Sequence, residues 1–464
     1  MLFHSPPFFA FFAVYFLLQL AIPIRYRLWL VVAGGTVFYA YWNPWLLWLP
    51  HLLAVMGWGG ALWVGASSER DARRARLLIA ASLLLAPLLF FKYTTFLYQQ
   101  IVEPLLGTPD WSLGVPLPLG ISFVTFTMLA YLIDCYRGAY PVEVRPQMIS
   151  AYTVFFPHLI AGPILRPREL MPQLDRPRRA LDIKGMLGVL IFTIGLAKKV
   201  IFASQLADPV GHVYAGGDSL SALDYLLAIY GFSLQIYCDF SGYTDMAIGL
   251  ALLLGVKLPN NFDRPYTAAS VAEFWRRWHR TLSFWFRDYV YIPLGGNRGT
   301  AGQRLRNIMV TMVLAGLWHG ASWTFALWGA LHGACIVVNH RLRARTQRTP
   351  GTFMRWAAVI VTFHVVTLAW ILFRAPDLQT SWRVLSGVVV APLGDPTIFL
   401  SRNGYSLVLL ALFLLSHRFD THARLRLLVM RARRSLLWPA VALTWATAVA
   451  LDAGSSAKFI YFDF

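Results

Sequence analysis

The sequence predicts an all-α integral membrane protein, and three observations carry that prediction. Of the 464 residues, 57% are hydrophobic and only 14% are charged, against about 25% charge in soluble domains. The apolar residues fall in long runs, and a crossing helix needs about 20 of them. The 41 Lys and Arg outnumber the 22 Asp and Glu to give a net charge of +19, and they sit in clumps between those runs. A disordered chain is poor in apolar residues. A soluble nucleic-acid binder spreads its basic residues over a water-facing surface. Both classes are excluded, and no nucleic-acid partner is expected.

Taken in order, spans are expected at 8–24, 28–42, 45–66, 77–98, 115–136, 185–206, 354–373, 405–417 and 435–453. The run 222–256 suits one span plus an interfacial turn, or two short spans. The run 149–165 and each half of 307–340 are short. The sum is about ten or eleven crossings with re-entrant segments. No basic residue precedes the first apolar run, so the N-terminus reads as a retained span and not a cleaved signal.

The basic clumps set the orientation. Arg25 and Arg27 form one. Arg70, Arg73, Arg74 and Arg76 form the next, followed by Arg166, Arg168, Arg176, Arg178, Arg179 and Lys184. Others lie at 276–306, 341–348 and 418–434. All are expected on the cytoplasmic side. The segments 1–7, 43–44, 99–114 and 207–221, poor in Lys and Arg, face outward; 375–404 holds Arg383 and Arg402 and gives a weaker assignment. Both 149–165 and 307–340 lie between clumps of the same side, so each dips and returns or crosses an even number of times. The last span starts inside after Arg434, which puts the tail 458–464 outside. With no internal repeat, linker or soluble domain, one membrane domain accounts for 1–464. Cys135, Cys238 and Cys335 lie in apolar stretches without CxxC spacing and read as small buried hydrophobes.

Residues 271–289 are strongly amphipathic. Val271, Phe274, Trp275, Trp278, Leu282, Trp285, Phe286 and Tyr289 share one helical stripe, with Arg276, Arg277, Arg280 and Arg287 roughly opposite. Such a helix is expected to lie in the membrane interface, with His279 at the edge of the aromatic stripe. Its charge fits an anionic partner on the cytoplasmic side and equally fits lipid headgroup anchoring.

His319 lies within the apolar run 307–335, between Gly316 and Gly320 and among Trp318, Trp323 and Trp328. An ionisable group at membrane depth is costly and marks a functional cavity. The glycines permit close backbone approach or a helix break. A buried neutral imidazole suits a general base, or a hydrogen-bonded packing role. His332, thirteen residues on, falls on a different face if the helix continues. His158, His340 and His364 are isolated and read as packing residues. No pair has HxxxH or HExxH spacing, so zinc is not expected. Asp134, Asp239 and Asp245 are expected to pair with Lys198, Lys199 or Arg rather than to form a proton path, and Lys92 is either a partner or a snorkelling side chain.

Four motifs in order now resemble a known group. FFPHLIAGPILRPRELMPQL (155–174), YCDFSGYTDMAIG (237–249), FWRRWHRTLSFWFRDYVYIPLGGNR (274–298) and GLWHGASWTFALWGALHG (316–333) resemble bacterial membrane-bound O-acyltransferases, in particular the alginate O-acetylation type. The resemblance covers nearly the whole chain. It implies a ring of helices around a central funnel, with His319 as the active-site histidine and His279 as the second key histidine. It further implies a cytoplasmic thioester donor, acetyl-CoA or an acyl-carrier thioester, with no bound cofactor. Arg276, Arg277, Arg280, Trp318 and Trp323 are the candidate donor-binding residues. The tail FIYFDF (459–464) resembles a C-terminal motif of these exporters in which the tyrosine, here Tyr461, is proposed as the acyl acceptor; its alternative is an interfacial anchor. The expected partners are the lipid bilayer, a polysaccharide acceptor and a periplasmic SGNH-type acetyltransferase. The expected location is the bacterial inner membrane with both termini periplasmic. An exporter of polysaccharide or lipid without acyl chemistry is the alternative, weakened by the lack of a nucleotide-binding loop and of repeat symmetry.

Overall fold

The computed structural model describes residues 1–107, 111–175, 183–345, 351–452 and 459–460. The helices run in the order α1 Pro6–Ala21, α2 Arg27–Ala40, α3 Trp48–Gly65, α4 Arg70–Leu97, α5 Glu103–Leu106, α6 Ile121–Tyr136, α7 Pro146–Val154, α8 Phe156–Leu159, α9 Pro167–Leu174 and α10 Ile183–Leu196. They continue with α11 Ala207–Ala215, α12 Ala222–Leu253, α13 Val271–Arg277, α14 Arg280–Phe286, α15 Ala301–His319, α16 Trp323–Arg345, α17 Thr352–Arg374, α18 Leu378–Val390, α19 Pro396–Ser416, α20 His422–Arg431 and α21 Arg434–Asp452.

Among the described residues, six helical stretches are long and apolar enough to cross a membrane: Pro44–Gly65, Arg70–Leu106, Gly185–Ala215, Thr352–Arg374, Pro396–Phe419 and Arg434–Asp452. Pro6–Ala21 and Ile121–Tyr136 are shorter apolar helices. The expected count of ten or eleven depends on such shorter segments. Several boundaries differ from the sequence expectation. The fourth span begins at Arg70, and the one expected from 115 begins only at Ile121, because Pro116 and Pro118 precede it and proline keeps the residue before it extended. The segment 207–221, read as an outward loop, contains α11.

The chain divides into two compact units, Met1–Val189 with Met246–Pro259, and Leu190–Asp245 with Asn260–Phe464. In the first, the expected dip at 149–165 is two short helices, α7 and α8, with every residue from 151 to 165 buried. Pro157 ends α7, since it brings no N–H to continue the ladder. The Tyr152 hydroxyl donates to the Leu165 carbonyl at 2.7 Å, and His158 Nε2 bonds the Tyr152 carbonyl at 2.9 Å. His158 is thus the packing histidine that the sequence suggests. Phe156 anchors the dip among Tyr15, Phe11 and Phe38, with ring centroids 5.2, 5.4 and 5.6 Å away.

α12 is one continuous 32-residue helix, which removes the two-span reading of 222–256; its residues through Asp245 belong to the second unit. Its residues 231–245 are all buried. The chain after α10 widens into a π-helical turn, Ala197–Ala203. Gly242 of α12 lies against this turn: a Cβ there would sit 2.7 Å from the Gly195 carbonyl oxygen and 3.0 Å from the Lys199 nitrogen. The missing side chain lets the two backbones meet, as small residues do between membrane helices.

Candidate functional site

The run 307–340 folds as a helical hairpin. α15 ends at His319, Gly320 is extended at φ −162° and ψ 151°, and α16 starts at Trp323. The two helices are in backbone contact through glycine. A Cβ on Gly316 would collide with the Phe325 carbonyl oxygen, and one on Gly329 with that of Met312. His319 therefore occupies the tip of the hairpin and is 2% exposed. Its ring is enclosed by Trp318, Phe373 and Trp328, with centroids at 4.9, 5.1 and 5.3 Å. Trp323 does not join them as expected; it opens α16 and is 56% exposed, because the turn carries it away before the helix resumes.

The same turn corrects the reading of His332. A continuous helix would put it on another face, but the hairpin returns it to the other side of Trp328, 4.8 Å from that ring. The Trp275 indole N–H donates to His332 Nδ1 at 3.3 Å, which places the proton of a neutral ring on Nε2. Sequence spacing gives no signal for this residue, since the signal is the hairpin itself.

His279 is also displaced from its expected position. The block 271–289 is not one interfacial helix: Trp278 is extended, His279 is left-handed at φ 41° and ψ 53°, and α13 and α14 meet there at a break. The break turns the ring inward, so His279 is fully buried rather than at the edge of a stripe. Asn261 holds this geometry. Its Oδ1 accepts from the Thr281 N–H at 3.1 Å, from the Thr281 hydroxyl at 2.9 Å, and from His279 Nδ1 at 3.2 Å. An oxygen that accepts from an amide requires Nδ1 to be the donor, so the neutral ring carries its acceptor lone pair on Nε2. Phe240 packs against the ring at 4.7 Å, and Trp318 lies 6.1 Å from it. Trp318 is thus in ring contact with both His279 and His319.

The expected donor-binding arginines separate. Arg277 Nη2 pairs with Glu273 at 2.5 Å, and its Nη1 donates to the Thr267 hydroxyl at 2.5 Å, so it is engaged inside the protein. Arg276 is exposed, and Arg280 is half-buried, over the Phe284 ring at 5.7 Å.

Two of the three expected aspartates, Asp239 and Asp245, pair with Lys199 and Lys198. Lys198 Nζ bridges Asp245 at 2.8 Å and Asp420 at 2.6 Å, while Lys199 Nζ meets Asp239 at 2.6 Å. The Tyr237 hydroxyl donates to Asp420 at 2.6 Å, and His422 Nε2 lies 2.8 Å from Asp245. Asp420, His422 and His417 are site neighbours that sequence reasoning missed, because they lie in a basic clump that reads only as a topology signal. Asp420 and His417 line a cavity of about 260 Å³ together with Lys198, Tyr237, Phe413 and Leu425. Tyr461, the expected acyl acceptor, lies outside the described residues.

Comparison with known proteins gives the family. Residues 144–375 match the model of the membrane-bound O-acyltransferase family. The chain is 40% identical over 385 residues to a protein of Azotobacter vinelandii named "Probable alginate O-acetylase", covering 81% of this chain and 75% of that one. It is 37% identical over 424 residues to the peptidoglycan O-acetyltransferase of Helicobacter pylori, covering 84% and 80%. It is 27% identical over 271 residues to the teichoic acid D-alanyltransferase of Bacillus subtilis, covering 55% and 68%. The matched stretch includes the Asn261-held break at His279 and the hairpin tip at His319, and on this ground the chain belongs to the membrane-bound O-acyltransferase family and is a multi-pass membrane acyltransferase.

Proposed function

We propose that this enzyme moves an acetyl or other short acyl group from a cytoplasmic thioester, acetyl-CoA or an acyl-carrier protein, to O-acetylate a polysaccharide outside the bacterial inner membrane. The observation that carries the reading is the aromatic enclosure of His319 at the hairpin tip. An imidazole there is held rigidly by packing and sits away from bulk water, which protects a thioester from hydrolysis. In the reaction, a nitrogen of His319 takes the proton of the attacking hydroxyl. The hydroxyl oxygen bonds the thioester carbonyl carbon, the C–S bond breaks, and the departing thiolate recovers the proton from the imidazolium. His279 presents an acceptor at Nε2, so as a neutral ring it orients an N–H or O–H of donor or acceptor and does not polarise the carbonyl. Exposed Arg276 and half-buried Arg280 attract the donor's phosphates; Arg277, already paired, contributes structure. Trp318 contacts both histidines and supplies an apolar wall for the acyl arm.

The acyl acceptor in this reading is the hydroxyl of Tyr461. A phenol of pKa near 10 needs such a base to become nucleophilic. The ester then passes to a periplasmic SGNH-type transferase, with both termini of this chain on that side. The names of the relatives support the chemical class, alginate and peptidoglycan acetylation.

Purified protein in detergent with radiolabelled acetyl-CoA tests the proposal. Wild type is expected to acquire label or to consume the thioester, and a wild type that does neither refutes the function. Replacement of the base, His319→Ala, is expected to lower the rate by about 10²–10⁴-fold; full activity in this variant removes His319 from the role. Label that persists in Tyr461→Phe rules out the tail as acceptor.

A further inference from the structure

Phe459 and Ile460 of the C-terminal segment lie in a built site on α12. Phe459 is fully buried, and its ring stacks on Tyr243 with centroids 4.6 Å apart. The Ile460 backbone N–H donates to Asp239 Oδ2 at 2.7 Å. The second oxygen of that carboxylate meets Lys199 Nζ at 2.6 Å, and both side chains are buried. Lys199 also lies 6.0 Å from the Phe459 ring centroid.

A carboxylate in a membrane interior is expensive, and pairing it with an ammonium seldom gives a net gain over apolar packing. The arrangement does something that apolar packing does not. Lysine balances the charge through one oxygen, and the other oxygen stays directed at a backbone amide of a different part of the chain. The amide contact fixes the height of Ile460 on α12, and the stacked ring fixes the place of Phe459. The close approach at Gly242 brings Lys199 within reach of α12.

We propose that Asp239, braced by Lys199, is the docking residue for the chain's own C-terminal segment, holding the Ile460 amide and Phe459 ring so that the next residue, Tyr461, starts from a fixed point. The docking stands on these contacts alone. Its role as a positioning device rests on the acceptor reading given under Proposed function.

Hydrogen exchange followed by mass spectrometry on the full chain in detergent reads the docking directly. In wild type the C-terminal peptide is expected to retain a slowly exchanging amide at Ile460. Asp239→Asn, which removes the charge but not the shape, is expected to speed that amide by about 10-fold or more. Phe459→Ala leaves the Asp239–Lys199 pair in place and is expected to do the same, so the test does not depend on a change within α12. Peptides from α12 serve as the fold control and should exchange as in wild type. An Ile460 amide that exchanges at the wild-type rate in both variants overturns the docking. Acetyl label is measured on the same samples. Label on Tyr461 that forms at the wild-type rate in Phe459→Ala overturns the positioning role. A slow Ile460 amide in a wild type that never takes label supports the docking and refutes the acyl-acceptor reading instead.

Discussion

At the scale of single residues, Asn261 has the widest reach. One amide oxygen serves three donors, caps α14 and sets the tautomer of His279. Asn261→Ala deletes that acceptor in a buried site, and each donor so affected costs about 1–3 kcal/mol. The variant is expected to lose on the order of 2–4 kcal/mol in detergent unfolding and to lose acyl transfer through a freed His279 ring. Asn261→Asp, which keeps the oxygen, should retain more of both; equal losses in the two would deny the oxygen its role. Glu143 offers a separate test on the loop between α6 and α7. Arg145 forks onto it with two bonds of 3.0 Å and also meets Asp175 at 2.9 Å. That hydrogen bonding holds the Glu143 carboxyl below its ordinary value of 4.5. A depressed carboxylate contributes stability that is fully present above the ordinary value and is lost as pH falls through the folded value. Thermal midpoints should therefore fall on acidification below about pH 4.5, and Glu143→Gln should remove that share of the fall.

At the scale of elements, the hairpin and the lysine-bearing turn decide the site. The burial of His319 was legible in the sequence, because it lies between glycines and among tryptophans in an apolar run. The break between α13 and α14 was not legible: both halves keep the helical period, and the left-handed His279 is imposed by Asn261 from another segment. His332 was hidden for a related reason, since spacing along a helix says nothing once the helix turns back. The ion network around Lys198 was half legible. The sequence pairs its lysines with α12 but gives no sign of Asp420. Removing one partner strands a buried charge. Lys198→Met and Asp420→Leu are each expected to destabilise by about 3–5 kcal/mol, while the double variant should cost less than the sum, with a coupling of about 1–3 kcal/mol. Denaturant unfolding of the four proteins gives the cycle, and simple additivity would show that the pair is not a functional unit of stability.

At the scale of the whole molecule, the fold class follows from composition and charge clumping, and the count of crossings does not. Pro6–Ala21 and Ile121–Tyr136, counted as spans from the sequence, form helices of only 16 residues each, short of the about 20 that a crossing needs. Orientation remains open to direct measurement. The basic clump at 70–76 predicts that Ser68, exposed before α4, faces the cytoplasm, and that Asp218, exposed after α11, faces out. In intact cells, a membrane-impermeant maleimide should label Asp218→Cys and leave Ser68→Cys unlabelled until the membrane is opened. The reverse pattern would invert the protein and move the proposed donor entrance to the wrong compartment.

The π-helical turn at Ala197–Ala203 makes this stretch a counting device. A π turn is an α-helix with one residue too many, and here the surplus lets adjacent lysines serve two different aspartates, Asp245 and Asp239, six positions apart on α12. Deleting one residue from the turn would restore ordinary pitch there and change how the two lysines are set relative to each other and to α12. One lysine would then lose its carboxylate, and with it either the Asp420 bridge or the tail's anchor. A single-codon deletion that a surface loop absorbs would be intolerable here, although no side chain that touches substrate had been changed.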